Sequence, residues 1–84
     1  MTTIEARVLS ALAPGGHLTV DQIARHTDLS ADRVRKGAQA LRGRGLATSN
    51  PGLHGDAWAL TARGKLYVDT PTGRAVLDFP SIAS

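Results

Sequence analysis

Apolar residues recur at helical spacing along the first third of the chain and predict two helices there. The first begins at Thr2 or Thr3, places its apolar residues on one face, and stops at the sequence Pro14-Gly15-Gly16. The second begins at Thr19, which stands three residues before Gln22 in the spacing of a capping box. Between them, residues 17–18 form an extended connection that would suit an edge strand.

A third predicted helix runs from Ser30 to about Arg44 and has two unlike faces. Its core stripe is Val34, Ala38 and Leu41, and about 100° of rotation per residue turns polar and basic side chains to the opposite side. Gly37 beside this stripe lowers helix propensity by about 1 kcal/mol relative to Ala, so we expect another helix to pack closely there. Gly45 is the residue expected just past the helix end.

Alternation then replaces helical spacing and predicts a β-hairpin over residues 46–61. Its strands are residues 46–49 and 57–61, with Trp58 and Leu60 on one face of the second strand. The seven residues between them, Asn50 to Asp56, contain two glycines and a proline and are predicted to form a polar tip.

The C-terminal region is predicted to contain one more helix and an apolar tail. Thr61 would cap the helix, in which residues 66–68 supply apolar surface, and Pro71 would break it unless Thr70-Pro71 caps one further turn. The tail, residues 71–84, contains the apolar residues Val76, Leu77, Phe79 and Ile82, so we do not expect it to be an unpacked, solvent-exposed terminus. It either folds back on the core of the domain, residues 1–70, or serves as a dimerisation segment.

The whole pattern predicts a mostly α fold with a small β-hairpin (α+β). The chain has 84 residues, of which 42% are hydrophobic and 20% charged, as expected for one small folded domain. It has no cysteine, which excludes disulfides and thiolate metal sites, and no apolar run long enough for a membrane span. We therefore expect a cytoplasmic protein with no membrane partner.

Positive charge is concentrated in the middle of the chain. Seven of the ten basic residues and only two acidic ones lie between Ala31 and Lys65, while the formal net charge is +3. This asymmetry is typical of a nucleic-acid-binding surface, although a solvated helix face would also produce it.

Candidate enzyme chemistry is weak. The histidines at positions 17, 26 and 54 lack metal-ligand spacing, and no phosphate-binding glycine loop or activated nucleophile is recognisable. We predict no catalytic residues, no metal and no cofactor. Asp32 and Lys36 are interpreted as a surface ion pair, and Trp58 and Tyr67 as core residues in preference to base-stacking platforms.

Five short segments in order resemble the winged helix-turn-helix transcriptional regulators, the group of the MarR-like and ArsR-like repressors. They are residues 18–24, residues 27–30, Val34, residues 41–46 (LRGRGL) and residues 58–64 (WALTARG). The resemblance implies a three-helix core plus a wing and a C-terminal helix, and a homodimer that represses transcription by binding double-stranded DNA. The chain lacks the cysteine pair of many ArsR-like proteins, so no metal site is carried over, and the sequence identifies no small-molecule effector.

In this arrangement the third helix would enter the major groove and the hairpin would act as the wing. The residues expected toward the bases are Ser30, Asp32, Arg33, Lys36 and Gln39. Those expected at phosphates are Arg35, Arg42, Arg44, Arg63 and Lys65, and His54 at the hairpin tip would touch the backbone or the minor groove. The alternative is a winged helix that binds protein as an assembly module without DNA.

Overall fold

Helices and strands follow one another in the predicted order. The computed structural model describes the backbone of residues 1–52 and 55–83, and the side chains of residues 1–52 and 55–77. The described elements are α1 (Thr3–Leu12), β1 (Leu18–Thr19), α2 (Val20–Thr27), α3 (Ala31–Gly43), β2 (Ala47–Asn50), β3 (Ala57–Leu60), α4 (Ala62–Asp69) and α5 (Pro71–Ala83). The predicted mostly α fold with a small β-hairpin, arranged as a winged helix-turn-helix domain, is confirmed.

Side-chain caps set the starts of the first two helices. Thr2 caps α1 by accepting a hydrogen bond from the backbone N–H of Glu5 at 3.2 Å. At α2 the predicted capping box is present in both directions, because Gln22 N–H donates to the Thr19 hydroxyl and Thr19 N–H donates to the Gln22 side chain. Asp28 ends α2 in the left-handed conformation, with φ of 61°, and so turns the chain toward α3.

The sheet has the order β1-β3-β2, with both pairs antiparallel. Trp58 pairs with Leu18 on one side and Ser49 on the other, so β3 is the central strand. Trp58 and Leu60, which alternation places on one face of β3, are buried, and so is Ala59 on the other face. The predicted edge strand is confirmed and lies one residue later than expected, at Leu18–Thr19.

The C-terminal region departs from the expected single helix. Pro71 begins a 13-residue helix, α5, where at most one further turn was predicted. Thr70 caps α5 by accepting a hydrogen bond from Gly73 N–H at 3.0 Å, and a proline at the first helical position gives up no intrahelical bond. Thr70, which ends α4, is therefore also the cap of the next helix.

The core is built around α1, which packs against α2, α3 and α5. The largest fully buried side chains of the core are Leu9, Leu12, Ile23, Leu41, Val8 and Val34. Val76 and Leu77 of α5 pack against this core, so the described part of the tail folds back on the domain. Within the described residues, no helix is long and apolar enough to cross a membrane.

Candidate nucleic-acid interface

Helix α3 has one buried face and one exposed polar face, as its sequence predicts. Val34, Ala38 and Leu41 are fully buried, and a Cβ built on Gly37 would lie 2.9 Å from Ile4 Cγ2 of α1. The exposed residues of the helix are Asp32, Arg33, Arg35, Lys36, Gln39, Arg42 and Gly43. Because α1 holds the buried face, the polar face is presented on a fixed support.

Both ends of α3 are defined by local hydrogen bonds. Ser30 caps the start by accepting a hydrogen bond from Arg33 N–H at 3.2 Å. At the other end, Gly45 N–H donates to the Arg42 carbonyl and Leu46 N–H to the Leu41 carbonyl, each at 2.9 Å. This is a Schellman motif, and it requires the positive φ of 77° that Gly45 adopts.

The cations near the start of α3 differ in their partners. Arg35 Nη1 lies 3.7 Å from Asp32 Oδ1 in an exposed ion pair. The predicted pair of Asp32 with Lys36 is wrong, because the guanidinium three residues away takes the carboxylate, and three- and four-residue spacings are both neighbours on a helix. Within the described part of the chain, Arg33 and Lys36 make no salt bridge.

The cations near the end of α3 contact the protein itself. The Arg42 guanidinium lies over the ring of Trp58, 5.8 Å from its centroid, and so joins α3 to β3. Arg44 Nε donates to Glu5 Oε2 of α1 at 3.1 Å. Trp58 itself is buried, which confirms that it is a core residue.

The remaining candidates are spread over different surfaces. Arg35 and Gln39 line a groove between α3, the start of α2 and β3. Arg63 lies against Gly45 and shares a second groove with Arg44, while Lys65 lines a third beside His17 and Thr48. The structure thus gathers the candidates on α3, brings Arg63 beside Arg44 at the end of that helix, and places Lys65 in a separate groove. His54 lies outside the described residues.

One contact in this region has no signal in the sequence. Glu5 and Arg44 are 39 residues apart, and neither periodicity nor capping rules link them. Among the described residues, no cluster of three or more His, Cys, Asp or Glu side chains is placed to hold a metal ion. The described surface therefore offers a helix face with exposed cations as its most distinctive chemical feature.

Comparison with known proteins relates this arrangement to one family. A model described as "MarR family" matches residues 1–52 of the chain. No curated protein sequence matches it. The matches support the MarR-like part of the resemblance.

Solved structures share the fold over nearly the whole chain. A MarR family transcriptional regulator from Silicibacter pomeroyi is 26% identical with a TM-score of 0.75, over 96% of this chain and 54% of that one. A probable transcriptional regulator from Pseudomonas aeruginosa is 17% identical with a TM-score of 0.79, over 99% of this chain and 65% of that one.

A third structure is of Bordetella bronchiseptica BpsR, described with a mechanism for regulation of its DNA binding by 6-hydroxynicotinic acid. It is 21% identical with a TM-score of 0.76, over 94% of this chain and 60% of that one. The chain thus spans between 54% and 65% of the length of these solved proteins.

Proposed function

The chain belongs to the MarR family, and from this premise we propose that it is a sequence-specific double-stranded DNA-binding protein that regulates transcription. Helix α3 enters the major groove, and the β2–β3 hairpin serves as the wing. The observation that carries the proposal is the pair of exposed cations, Arg33 and Lys36, which make no salt bridge among the described residues. They project from a helix whose opposite face is fully buried.

Each exposed group on α3 has a chemistry suited to DNA. Arg33 and Lys36 donate to guanine O6 and N7, Gln39 pairs with adenine, and Asp32 either accepts from cytosine or holds Arg35 through their ion pair. Ser30 lies at the helix start, next to the N–H groups that favour a phosphate.

Phosphate contacts come from the surrounding cations. Arg35, Arg42 and Arg44 extend the basic surface along α3, Arg63 and Lys65 belong to α4, and His54, which lies outside the described residues, is a proposed contact of the wing. Glu5 accepts a hydrogen bond only from Arg44 Nε–H, and the Arg44 side chain is half exposed. Its other guanidinium N–H groups therefore remain for a phosphate contact.

Further features of the proposal follow from the family and, for the tail, from its apolar residues. The protein acts by binding and not by catalysis, as a repressor in the cytoplasm. It works as a homodimer, with residues 71–84 contributing to the contact between subunits. BpsR, which shares the fold, supports the proposal through its regulated DNA binding.

Titration of labelled duplex DNA tests the proposal. The duplex is first selected from a random pool with the wild-type chain, and its affinity is then measured by fluorescence anisotropy at several salt concentrations. We expect affinity to fall steeply with salt, and Arg33→Ala/Lys36→Ala to weaken binding about tenfold or more, because each lost base contact costs about 1–3 kcal/mol.

The matched control is Arg7→Ala/Arg74→Ala, which removes the same charge from exposed positions on α1 and α5. It should retain most of the affinity. Binding without salt dependence, or an equal loss in the two double variants, would contradict a role for α3. A pool that enriches no duplex would favour the protein-binding alternative.

A further inference from the structure

The Glu5–Arg44 ion pair joins the first turn of α1 to the residue that caps the end of α3. Arg44 Nε donates to Glu5 Oε2 at 3.1 Å, and the side chains are 50% and 10% exposed, respectively. Among the described residues, Glu5 is the only charged residue that is buried. A buried carboxylate of α1 is thus bound by the residue at the C-terminal end of α3, the candidate DNA-reading helix.

A half-exposed ion pair at this position is not a strong source of stability. Removing a carboxylate from water is costly, and apolar residues of similar volume in place of a buried pair are often neutral or stabilising. Val8, Leu9 and Leu12 of the same helix are fully buried and already pack α1 by apolar contact. What an ion pair adds over such contacts is direction, because a charge-assisted hydrogen bond has one preferred geometry.

The rest of the contact holds α3 by apolar packing, since Val34, Ala38 and Leu41 are fully buried. At the crossing, Gly37 presents backbone to Ile4 and Val8 and has no side chain to interlock with them. Apolar contacts of this kind hold α3 against the core but are not directional, so they set its rotation less sharply than a hydrogen bond does. The Glu5–Arg44 hydrogen bond adds one directional attachment at the end of the helix.

We propose that Glu5 and Arg44 are a positioning pair that sets the rotation of α3 and thereby the discrimination between DNA sequences. The inference rests on the proposed function, since it concerns how the same helix reads bases. Rotation of α3 would move Arg33, Lys36 and Gln39 together relative to the base edges. Glu5 itself, buried between helices, acts only through Arg44.

Discrimination between DNA sequences distinguishes this positioning role from two simpler ones, a phosphate contact by Arg44 and a purely structural ion pair. A lost phosphate contact weakens binding to all sequences alike, whereas a misplaced helix lowers the ratio of specific to non-specific affinity. A purely structural pair would change only the folded fraction, which lowers the affinity for both duplexes by the same factor and leaves their ratio unchanged.

The test compares wild type, Glu5→Met/Arg44→Met and Glu5→Gln. For each, affinity is measured for the duplex selected by the wild type and for a scrambled duplex of equal length, and the melting temperature is recorded. We expect the double variant to melt within a few degrees of wild type and to lose about tenfold in the affinity ratio, the size of one lost base contact. Glu5→Gln, which keeps an acceptor for Arg44, should lose less.

An unchanged affinity ratio in the folded double variant would overturn the inference, whether both affinities stay the same or both fall by the same factor. If the double variant does not fold, Glu5→Met alone decides, because it removes the acceptor and leaves the half-exposed Arg44 in water, and an unchanged ratio in it has the same meaning. If the wild-type chain prefers no duplex, the proposed function is wrong and the inference falls with it. If the wild-type chain does discriminate between duplexes, the proposed function stands and the variants test the Glu5–Arg44 pair alone.

Discussion

Gly37 lies where α3 crosses α1, and its missing side chain sets how closely the two helices approach. A Cβ there would lie 2.9 Å from Ile4 Cγ2 and 3.1 Å from Val8 Cγ2, both closer than ordinary van der Waals contact. Both atoms are on β-branched side chains, which cannot turn aside freely within a helix. The helix propensity given up at Gly37 is thus compensated by close packing of α1 against α3.

A glycine pair on α3 makes this measurable. Gly37→Ala should lower the free energy of unfolding by about 1 kcal/mol, because overpacking costs about 1–3 kcal/mol and the gain in helix propensity returns about 1 kcal/mol. Gly43→Ala is the control, since its Cβ would have no atom within 4 Å, and it should leave stability unchanged or raise it by up to about 1 kcal/mol. Urea denaturation measures both, and equal effects would contradict the packing role.

Individual core residues follow from the sequence better than individual polar contacts do. Val34, Ala38 and Leu41 were identified by spacing alone and are fully buried. The Glu5–Arg44 pair was not identified, because its members come together only after α1 and α3 have packed. For the same reason spacing does not decide the partner of Asp32, since it allows both Arg35 and Lys36.

At the scale of elements, Thr61 joins the end of α3 to the start of α4. Its hydroxyl donates to the Gly45 carbonyl at 2.6 Å and accepts from Gly64 N–H at 3.0 Å. The second bond is the predicted helix cap, and the first ties that cap to the turn after α3. One hydroxyl therefore couples the position of α4 to that of the candidate DNA-reading helix.

Substitution of Thr61 tests this junction. Thr61→Val keeps the shape but removes both hydrogen bonds and leaves the Gly64 N–H and the Gly45 carbonyl without this partner, so we expect a loss of about 2 kcal/mol in the free energy of unfolding. Thr61→Ser keeps the hydroxyl and should lose less than half as much. Chemical denaturation of the two variants decides, and equal losses would point to the methyl group instead of the hydrogen bonds.

Helix starts are the best predicted features of the elements, and the cause is local. Thr19, Ser30 and Thr61 each cap a helix through a residue three positions later, which a sequence displays directly. The length of α5 was underestimated because Pro71 both ends one helix and suits the first turn of the next. Packing of α5 on α1, which no local signal reports, supports the longer helix.

At the scale of the whole molecule, the basic residues that lie together along the sequence do not form one surface. Arg33 and Lys36 share the exposed face of α3, whereas Lys65 lines a groove with His17. Charge distribution along the chain predicts that a basic surface exists, but only the packing of α4 against the sheet determines which cations join it. The contacts proposed for Arg63 and Lys65 therefore depend on the path of the DNA beside the wing.

The tail divides into a part that packs on its own domain and a part proposed for dimer formation. Val76 and Leu77 pack against the core, so these two residues of the apolar tail are already partly covered within the chain. Phe79 and Ile82, which the sequence adds beyond them, have side chains outside the described set. We therefore propose that a dimer contact through the tail involves mainly residues 78–84.

Two shortened chains separate dimer formation from folding. A chain of residues 1–77 keeps Val76 and Leu77 and should sediment as a monomer at concentrations where the full chain is a dimer, with a melting temperature close to that of the full chain. A chain of residues 1–70 also loses the packing of α5 on α1 and α4 and should melt several degrees lower, since about 1 kcal/mol shifts the melting temperature of a small domain by about 4–8 °C. Sedimentation velocity and thermal denaturation of the three chains give both quantities, and a dimer that survives in residues 1–77 would place the contact elsewhere on the domain.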